Sequence, residues 1–71
     1  MSLDELMQRE TSLKAKLTHL RISPQYHDVC WDTAVRVNER GESWDDAINE
    51  AIDLGKYMKG QDMVIAARMG V

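Results

Sequence analysis

The 71-residue sequence has little of the chemistry that usually reinforces a small fold. It contains one cysteine, Cys30, one proline and no phenylalanine. A single cysteine excludes an internal disulfide, and the scarcity of cysteine favours a reducing, cytoplasmic location. A chain of this length buries only about 60% of the surface that its unfolded form exposes, so the isolated monomer is expected to be marginally stable. Because a small scaffold without disulfides depends on a metal or a partner chain, the composition favours self-association.

Other missing features argue against several functional classes. No apolar run approaches the roughly 20 residues that span a membrane, and no apolar core follows a basic N-terminal stretch as in a signal peptide. Glycine-rich phosphate loops are also missing. One cysteine with His19 and His27 does not supply the paired spacings of a structural zinc site. We therefore expect a protein that is not an enzyme, binds no cofactor or metal and has no membrane partner.

Charge is plentiful and unevenly distributed. The net charge is −3, from 12 acidic and 9 basic residues. Residues 28–53 hold eight acids against two arginines, whereas residues 1–21 and 56–71 each carry a small positive excess. The acidic middle of the chain is expected to repel nucleic acid and to attract basic protein surfaces.

Residues 3–20 have the pattern of an amphipathic helix. Ser2 followed by Glu5 is a capping-box pattern. Leucines then recur at heptad a and d positions, with Glu10 in the remaining a site; they are Leu3, Leu6, Leu13, Leu17 and Leu20. A seam of three heptads is too short to hold as an isolated helix, so we expect it to pack on another helix.

A second helix is predicted at residues 24–40. Ser23 and Pro24 are typical of an N-cap and a first helical position, and Gly41 is typical of a left-handed C-cap. The apolar arc of this helix is wider than one helical neighbour covers. It consists of Tyr26, Val29, Cys30, Thr33, Ala34 and Val37, flanked by Trp31 and Val35.

The third predicted helix, residues 43–59, has two faces of opposite chemistry, and Ser43 is its predicted N-cap. The apolar face contains Trp44, Ala47, Ile48, Ala51, Ile52, Gly55 and Met58. The opposite side includes Asp46, Asn49, Glu50 and Asp53, which we call the acidic face. This face is a candidate partner-binding surface, and the alternative interpretation is an ordinary solvated face.

Gly60 is predicted to end the third helix, and residues 61–71 are predicted to form an apolar tail. The tail shows no clear periodicity. It forms either a short last helix capped by Asp62 or a segment that docks on a partner. Its candidate contact residues are Met63, Val64, Ile65 and Met69.

Together these patterns predict an all-α fold, a single helical domain of residues 1–71 that is completed by a homodimer. The candidate dimer interface consists of Leu6, Leu13, Leu17, Leu20, Trp31 and Val35. The function that follows is binding to a protein partner of unknown identity, as a small cytoplasmic adaptor, inhibitor or regulator. The size suits an accessory protein of a bacterium or a phage.

An alternative prediction comes from three consecutive stretches between Thr18 and Met58. They are "THLRIS", "PQYHDVCWDTAVRVNERG" and "GESWDDAINEAI", and this order resembles the strand, first helix and second-helix entry of ribbon-helix-helix regulators. The resemblance implies a dimer whose paired strands lie in the major groove of DNA, with Thr18, Leu20 and Ile22 facing the core. It also implies a set of DNA-binding residues, namely Lys14, Lys16, His19 and Arg21. The heptad pattern favours the helical fold, because Leu17 and Leu20 cannot serve a helix and a strand at once.

Overall fold

A computed structural model describes residues 2–69 as three α-helices joined by short connections. Helix α1 spans Leu3–His19, α2 spans His27–Glu39 and α3 spans Trp44–Met69, and a turn of 3₁₀ helix at Pro24–Tyr26 leads into α2. No strand occurs in this part of the chain. The predicted all-α architecture with three helices is confirmed.

Helix α1 has well-formed ends. The Ser2 hydroxyl accepts the backbone N–H of Glu5 at 3.3 Å, so the predicted cap is present. At the other end Arg21 has a left-handed φ of 60°. Its N–H donates to the carbonyl of Thr18, and the N–H of Ile22 donates to that of Leu17, both at 2.9 Å. This is a Schellman motif, in which an apolar residue just past the helix packs back on the last turn. Ile22 and Leu17 are accordingly both buried.

The ends of α2 follow the predicted signals. Ser23 and Pro24 lie where an N-cap and first helical position were expected, although they begin a 3₁₀ turn and the α-helix proper begins at His27. Gly41 has a φ of 103°, a conformation that other residues rarely adopt, and it ends the helix as predicted. The amide of Asn38 donates to the carbonyl of Glu42 at 2.9 Å across this turn.

Helix α3 begins as predicted and ends about ten residues later than predicted. The Ser43 hydroxyl accepts the N–H of Asp46 at 3.2 Å, which confirms the N-cap. Gly60 lies inside the helix, which continues to Met69. A mid-helix glycine costs only about 1 kcal/mol relative to alanine, and residues 61–69 contain good helix formers that propagate the helix. The last two residues of the predicted tail, 70 and 71, lie outside the described residues.

The core lies between all three helices, and α2 and α3 are the most closely packed pair. The fully buried apolar side chains are Leu13, Leu17, Ile22, Cys30, Ala34, Val37, Ala47 and Ala51. Gly55 brings α3 close to the others: a β-carbon there would lie 2.8 Å from Ile22 Cδ1 and 3.2 Å from Leu17 Cδ2. Val29, which the sequence places on the apolar arc of α2, is 50% exposed, because it lies on the outer edge of that arc.

Side-chain contacts set the direction of α1 relative to α3. The Arg9 guanidinium carbon lies 5.1 Å from the ring centroid of Trp44, at the beginning of α3. Farther along, Lys59 Nζ donates to the carbonyl of Leu20, just past the end of α1. The two helices therefore run in the same direction, and the molecule is elongated, with a longest dimension of 49 Å.

Candidate interaction surfaces

The end of α3 is a helix without a neighbour among the described residues. We call residues 63–69 the C-terminal overhang. All seven residues are exposed, including Ile65 at 52% and Met69 at 82%. The candidate contact residues Met63, Val64, Ile65 and Met69 thus lie together on one helical segment rather than on an irregular tail.

The position of the overhang follows from the spacing of apolar residues along α3. Ala51, Met58 and Ile65 are seven residues apart, which places them on one side of the helix. Ala51 is fully buried and Met58 packs against the core, whereas Ile65 has passed the end of the other two helices. The core-facing stripe of α3 therefore continues beyond the core that it serves.

Two polar contacts mark where the packed part of α3 stops. Lys59 is held by the carbonyl of Leu20 at 3.0 Å. The Tyr26 hydroxyl donates to the carboxylate of Asp62, with both oxygens at 2.7 Å. This hydrogen bond to Asp62 raises the pKa of Tyr26 above its ordinary value, with desolvation as a smaller cause. Asp62, one of the sequence's candidate caps, therefore fastens α3 to the turn before α2.

The acidic face is exposed along its whole length. Asp46, Asn49, Glu50 and Asp53 are all open to solvent on α3. None of the three acids forms an ion pair with another residue of the described chain. The opposite side of α3 is committed to the core at Ala47 and Ala51, as predicted. The face is thus free to meet a basic surface.

The six predicted dimer-interface residues divide into two groups. Leu13 and Leu17 are fully buried within a single chain, so they do not present a surface to a second copy. The other four are partly buried: Leu6, Leu20, Trp31 and Val35. The heptad seam of α1 therefore packs chiefly on α2 and α3 of its own chain.

Trp31 finds a partner within its own chain. Its ring stacks on Trp44 with centroids 5.7 Å apart and an angle of 6° between the planes. Arg9 covers Trp44 from α1. The indole N–H of Trp44 is buried and has no hydrogen-bond partner among the described residues. Trp31 and the Arg9 guanidinium together cover the Trp44 ring and stabilise its burial, while the indole N–H loses its hydrogen bond to water.

The residues assigned to DNA binding by the alternative prediction lie at the end of α1. Lys14 Nζ forms ion pairs with the carboxylates of Glu10, at 2.9 Å, and Asp28, at 3.0 Å. The hydrogen bond to Glu10 is the largest cause of a raised pKa for Lys14, and the hydrogen bond to Asp28 is the next. Lys16, His19 and Arg21 are exposed. In a single chain residues 18–19 belong to α1, so a strand there would require this turn to unwind and pair with a second chain.

The first two turns of α1 form another exposed surface, which the sequence pattern did not single out. We call residues 3–7 the N-terminal end. Leu3 is 72% and Met7 57% exposed, while Asp4 and Glu5 between them face solvent. Leu3 occupies a seam position, and the heptad pattern placed it against a neighbouring helix. Met7 is the signal that could have identified this surface, because it is an apolar residue outside the heptad a and d positions that pack on a neighbouring helix.

Of the three groups considered for a metal site, Cys30 and His27 are enclosed, whereas His19 is exposed. Cys30 is fully buried, as predicted, and its burial raises the pKa of the thiol, which disfavours the reactive thiolate. His27 is buried too, and its Nε2 donates to the carbonyl of Ile22 at 2.9 Å. Within residues 2–69 no three His, Cys, Asp or Glu side chains come together as metal ligands would.

Over the same residues no helix combines the length and apolar character needed to span a membrane.

Comparison with models of protein families, with curated proteins and with solved structures gives no match to this chain.

Proposed function

We propose that this protein is a small, non-enzymatic interaction module that acts by binding a protein partner. The observation that carries the proposal is the C-terminal overhang, a helical segment whose apolar side chains are all exposed. Contiguous exposed apolar surface on a small protein marks an interaction site. The cytoplasmic location and the roles of adaptor, inhibitor or regulator belong to the same proposal.

The chemistry of the overhang suits a protein contact. Met63, Val64, Ile65, Ala66 and Ala67 are consecutive and, at about 100° per residue, surround the whole helix. Full burial of a valine, isoleucine or methionine side chain stabilises by roughly 1.5–3 kcal/mol. Enclosing three or four such residues gains at most about 5–12 kcal/mol, which is comparable to the loss of about 4–15 kcal/mol in rotational and translational freedom on association.

The acidic face adds selectivity by charge. Its three carboxylates project from a helix whose other side is packed in the core, so their backbone positions are fixed relative to one another. Charges of this kind steer a basic partner and raise the association rate more than they deepen the final affinity. The overhang supplies the apolar contact and the acidic face orients the approach.

Site-specific photo-crosslinking in the cell of origin tests the proposal. A photoreactive residue at position 65 should give a defined crosslinked product with one protein, whether a second copy or another chain, whereas the same residue at the exposed Glu39 of α2 should give only background. Charge reversal at Glu50 and Asp53 should slow this capture in cells. Identical products from positions 65 and 39 would contradict the proposal.

The alternative function is DNA binding as a ribbon-helix-helix dimer. The observation in its favour is that Lys16, His19 and Arg21 are exposed and close together in sequence. Against it, Asp45 and Asp46 occupy the first turn of α3, which would face phosphate in that arrangement.

We therefore expect duplex DNA to bind no more tightly than about 10⁻⁴ M at physiological salt. A gel-shift titration measures this. A sequence-specific shift at nanomolar protein that is lost in Arg21→Ala would establish the DNA-binding function instead.

A further inference from the structure

The two ends of this elongated molecule carry opposite charge beside exposed apolar side chains. At the N-terminal end, Asp4 and Glu5 stand between Leu3 and Met7. Within the C-terminal overhang, Arg68 is exposed and is the one charged residue. None of these three charged side chains forms an ion pair within the described chain. Each end is therefore an apolar surface with unneutralised charge, acidic at one end and basic at the other.

We propose that the occupant of the C-terminal overhang is the N-terminal end of a second copy of this chain. The two copies lie antiparallel, so that the overhang of each one covers Leu3 and Met7 of the other. The proposal rests on the proposed function, since both require the overhang to be a contact surface, and it names the partner as the chain itself.

Charge complementarity carries the assignment. In the antiparallel arrangement Asp4 and Glu5 of one copy approach Arg68 of the other. A parallel arrangement would instead place acid against acid and base against base, which opposes association. The same opposition applies to two overhangs meeting each other.

Closure is the second argument. Since α1 and α3 run in the same direction, the two surfaces lie at opposite ends of a molecule 49 Å long. An antiparallel pair with a two-fold axis therefore satisfies both surfaces of both copies at once. No end is left open to recruit a third copy, so the product is a dimer and not a fibre.

Charge reversal at the two ends tests this arrangement. One variant carries Asp4→Lys and Glu5→Lys, and the other carries Arg68→Glu. Sedimentation equilibrium should show a dimer for the wild type and a monomer for each variant alone, because both contacts then join like charges. An equimolar mixture of the two variants should dimerise again, because every contact in the mixed dimer joins opposite charges.

A matched control separates local from overall charge. Asp32→Lys with Glu39→Lys, at two exposed positions of α2, changes the net charge by the same amount as the N-terminal variant, but alters neither end nor the acidic face, and should remain a dimer. Circular dichroism should show the same helix content for all the variants. A variant that stays dimeric alone, or a mixture that stays monomeric, would overturn the antiparallel pairing.

Cysteine crosslinking keeps the test independent of any folding defect at the first turn of α1. Chains with Leu3→Cys and chains with Met69→Cys are mixed under a mild oxidant, while the native Cys30 remains buried. Crosslinks between positions 3 and 69 of different chains are expected to dominate. Dominant 3–3 and 69–69 products would overturn the pairing.

The proposed function and this inference fail differently. A wild-type chain that remains monomeric through the micromolar range would overturn the inference. If position 65 still captures a different protein in cells, the proposed function stands and its partner is not a second copy.

Discussion

One helix, α3, shows two different relations between sequence and environment. From residue 44 to residue 58 its apolar side chains pack on α1 and α2, and Ala47, Ala51 and Gly55 are buried. From residue 63 to residue 69 the same helix carries apolar side chains into solvent. The backbone is continuous, so the difference arises from the length of the other helices and not from the local sequence. An amphipathic pattern identifies a surface that needs a partner, but not whether that partner belongs to the same chain.

The largest expected contrast between the two regions comes from truncating one apolar side chain in each. Leu17 is fully buried beside Gly55, so Leu17→Ala should lower the free energy of unfolding by about 2–5 kcal/mol. Ile65→Ala should change it by no more than about 0.5 kcal/mol in dilute protein, because the side chain is half-exposed. Urea unfolding followed by circular dichroism measures both. Equal losses would show that the overhang packs within its own chain.

Replacing either of two glycines of α3 by alanine should change the stability of the fold in opposite directions. A β-carbon at Gly55 would also lie 3.3 Å from Cys30 Sγ, in addition to its contacts with Ile22 and Leu17. Because three core side chains would have to move, we expect a cost in the upper part of the range of about 1–3 kcal/mol for overpacking, above the gain of about 1 kcal/mol in helix propensity. Gly55→Ala should therefore lower the melting temperature.

Gly60 marks the approach to the overhang, and a β-carbon there would have nothing within 4 Å. Gly60→Ala should stabilise the helix by up to about 1 kcal/mol and raise the melting temperature. Differential scanning calorimetry of the two alanine variants gives the signs directly. A stabilised Gly55→Ala would mean that the packed region has more free space than the structure shows.

The smallest expected effect concerns the turn that places Ile22 in the packed region. Arg21 adopts a left-handed φ of 60°, which a residue with a side chain tolerates poorly. Arg21→Gly should therefore stabilise the chain by about 0.5–1 kcal/mol. Its counterpart, Gly41→Ala at a φ of 103°, should destabilise by at least as much.

Thermal unfolding of the two turn variants measures the difference between them. A destabilising Arg21→Gly would indicate that the arginine side chain contributes contacts that outweigh its backbone strain.

Local signals predicted two helix starts and one helix end. Ser2 and Ser43 cap the starts of α1 and α3, and Gly41 ends α2, because each of these residue types satisfies a specific backbone requirement. The end of α1 carried no such signal, since the left-handed position is occupied by Arg21 and not by glycine. At Gly60 the signal was present but too weak to stop the helix, because ending there requires a following segment that folds back.

The candidate surfaces were predicted in composition but not in arrangement. The acidic face and the apolar residues from Met63 to Met69 were recognised from their chemistry, and they are exposed. The heptad of α1 was assigned to a dimer, yet Leu13 and Leu17 pack inside one chain. A heptad pattern indicates that a helix packs on an apolar neighbour, and in this protein α2 and α3 of the same chain are that neighbour.

Hydrogen exchange at two protein concentrations tests most directly the claim that the overhang is a docking surface without a partner in its own chain. In dilute protein the amides of residues 63–69 should exchange much faster than those of residues 47–58. At high concentration exchange should slow at residues 63–69 and at residues 3–7, while residues 47–58 stay unchanged. Equal exchange at both concentrations would overturn the pairing of two copies. Overhang amides that are as protected as the core in dilute protein would contradict the claim itself.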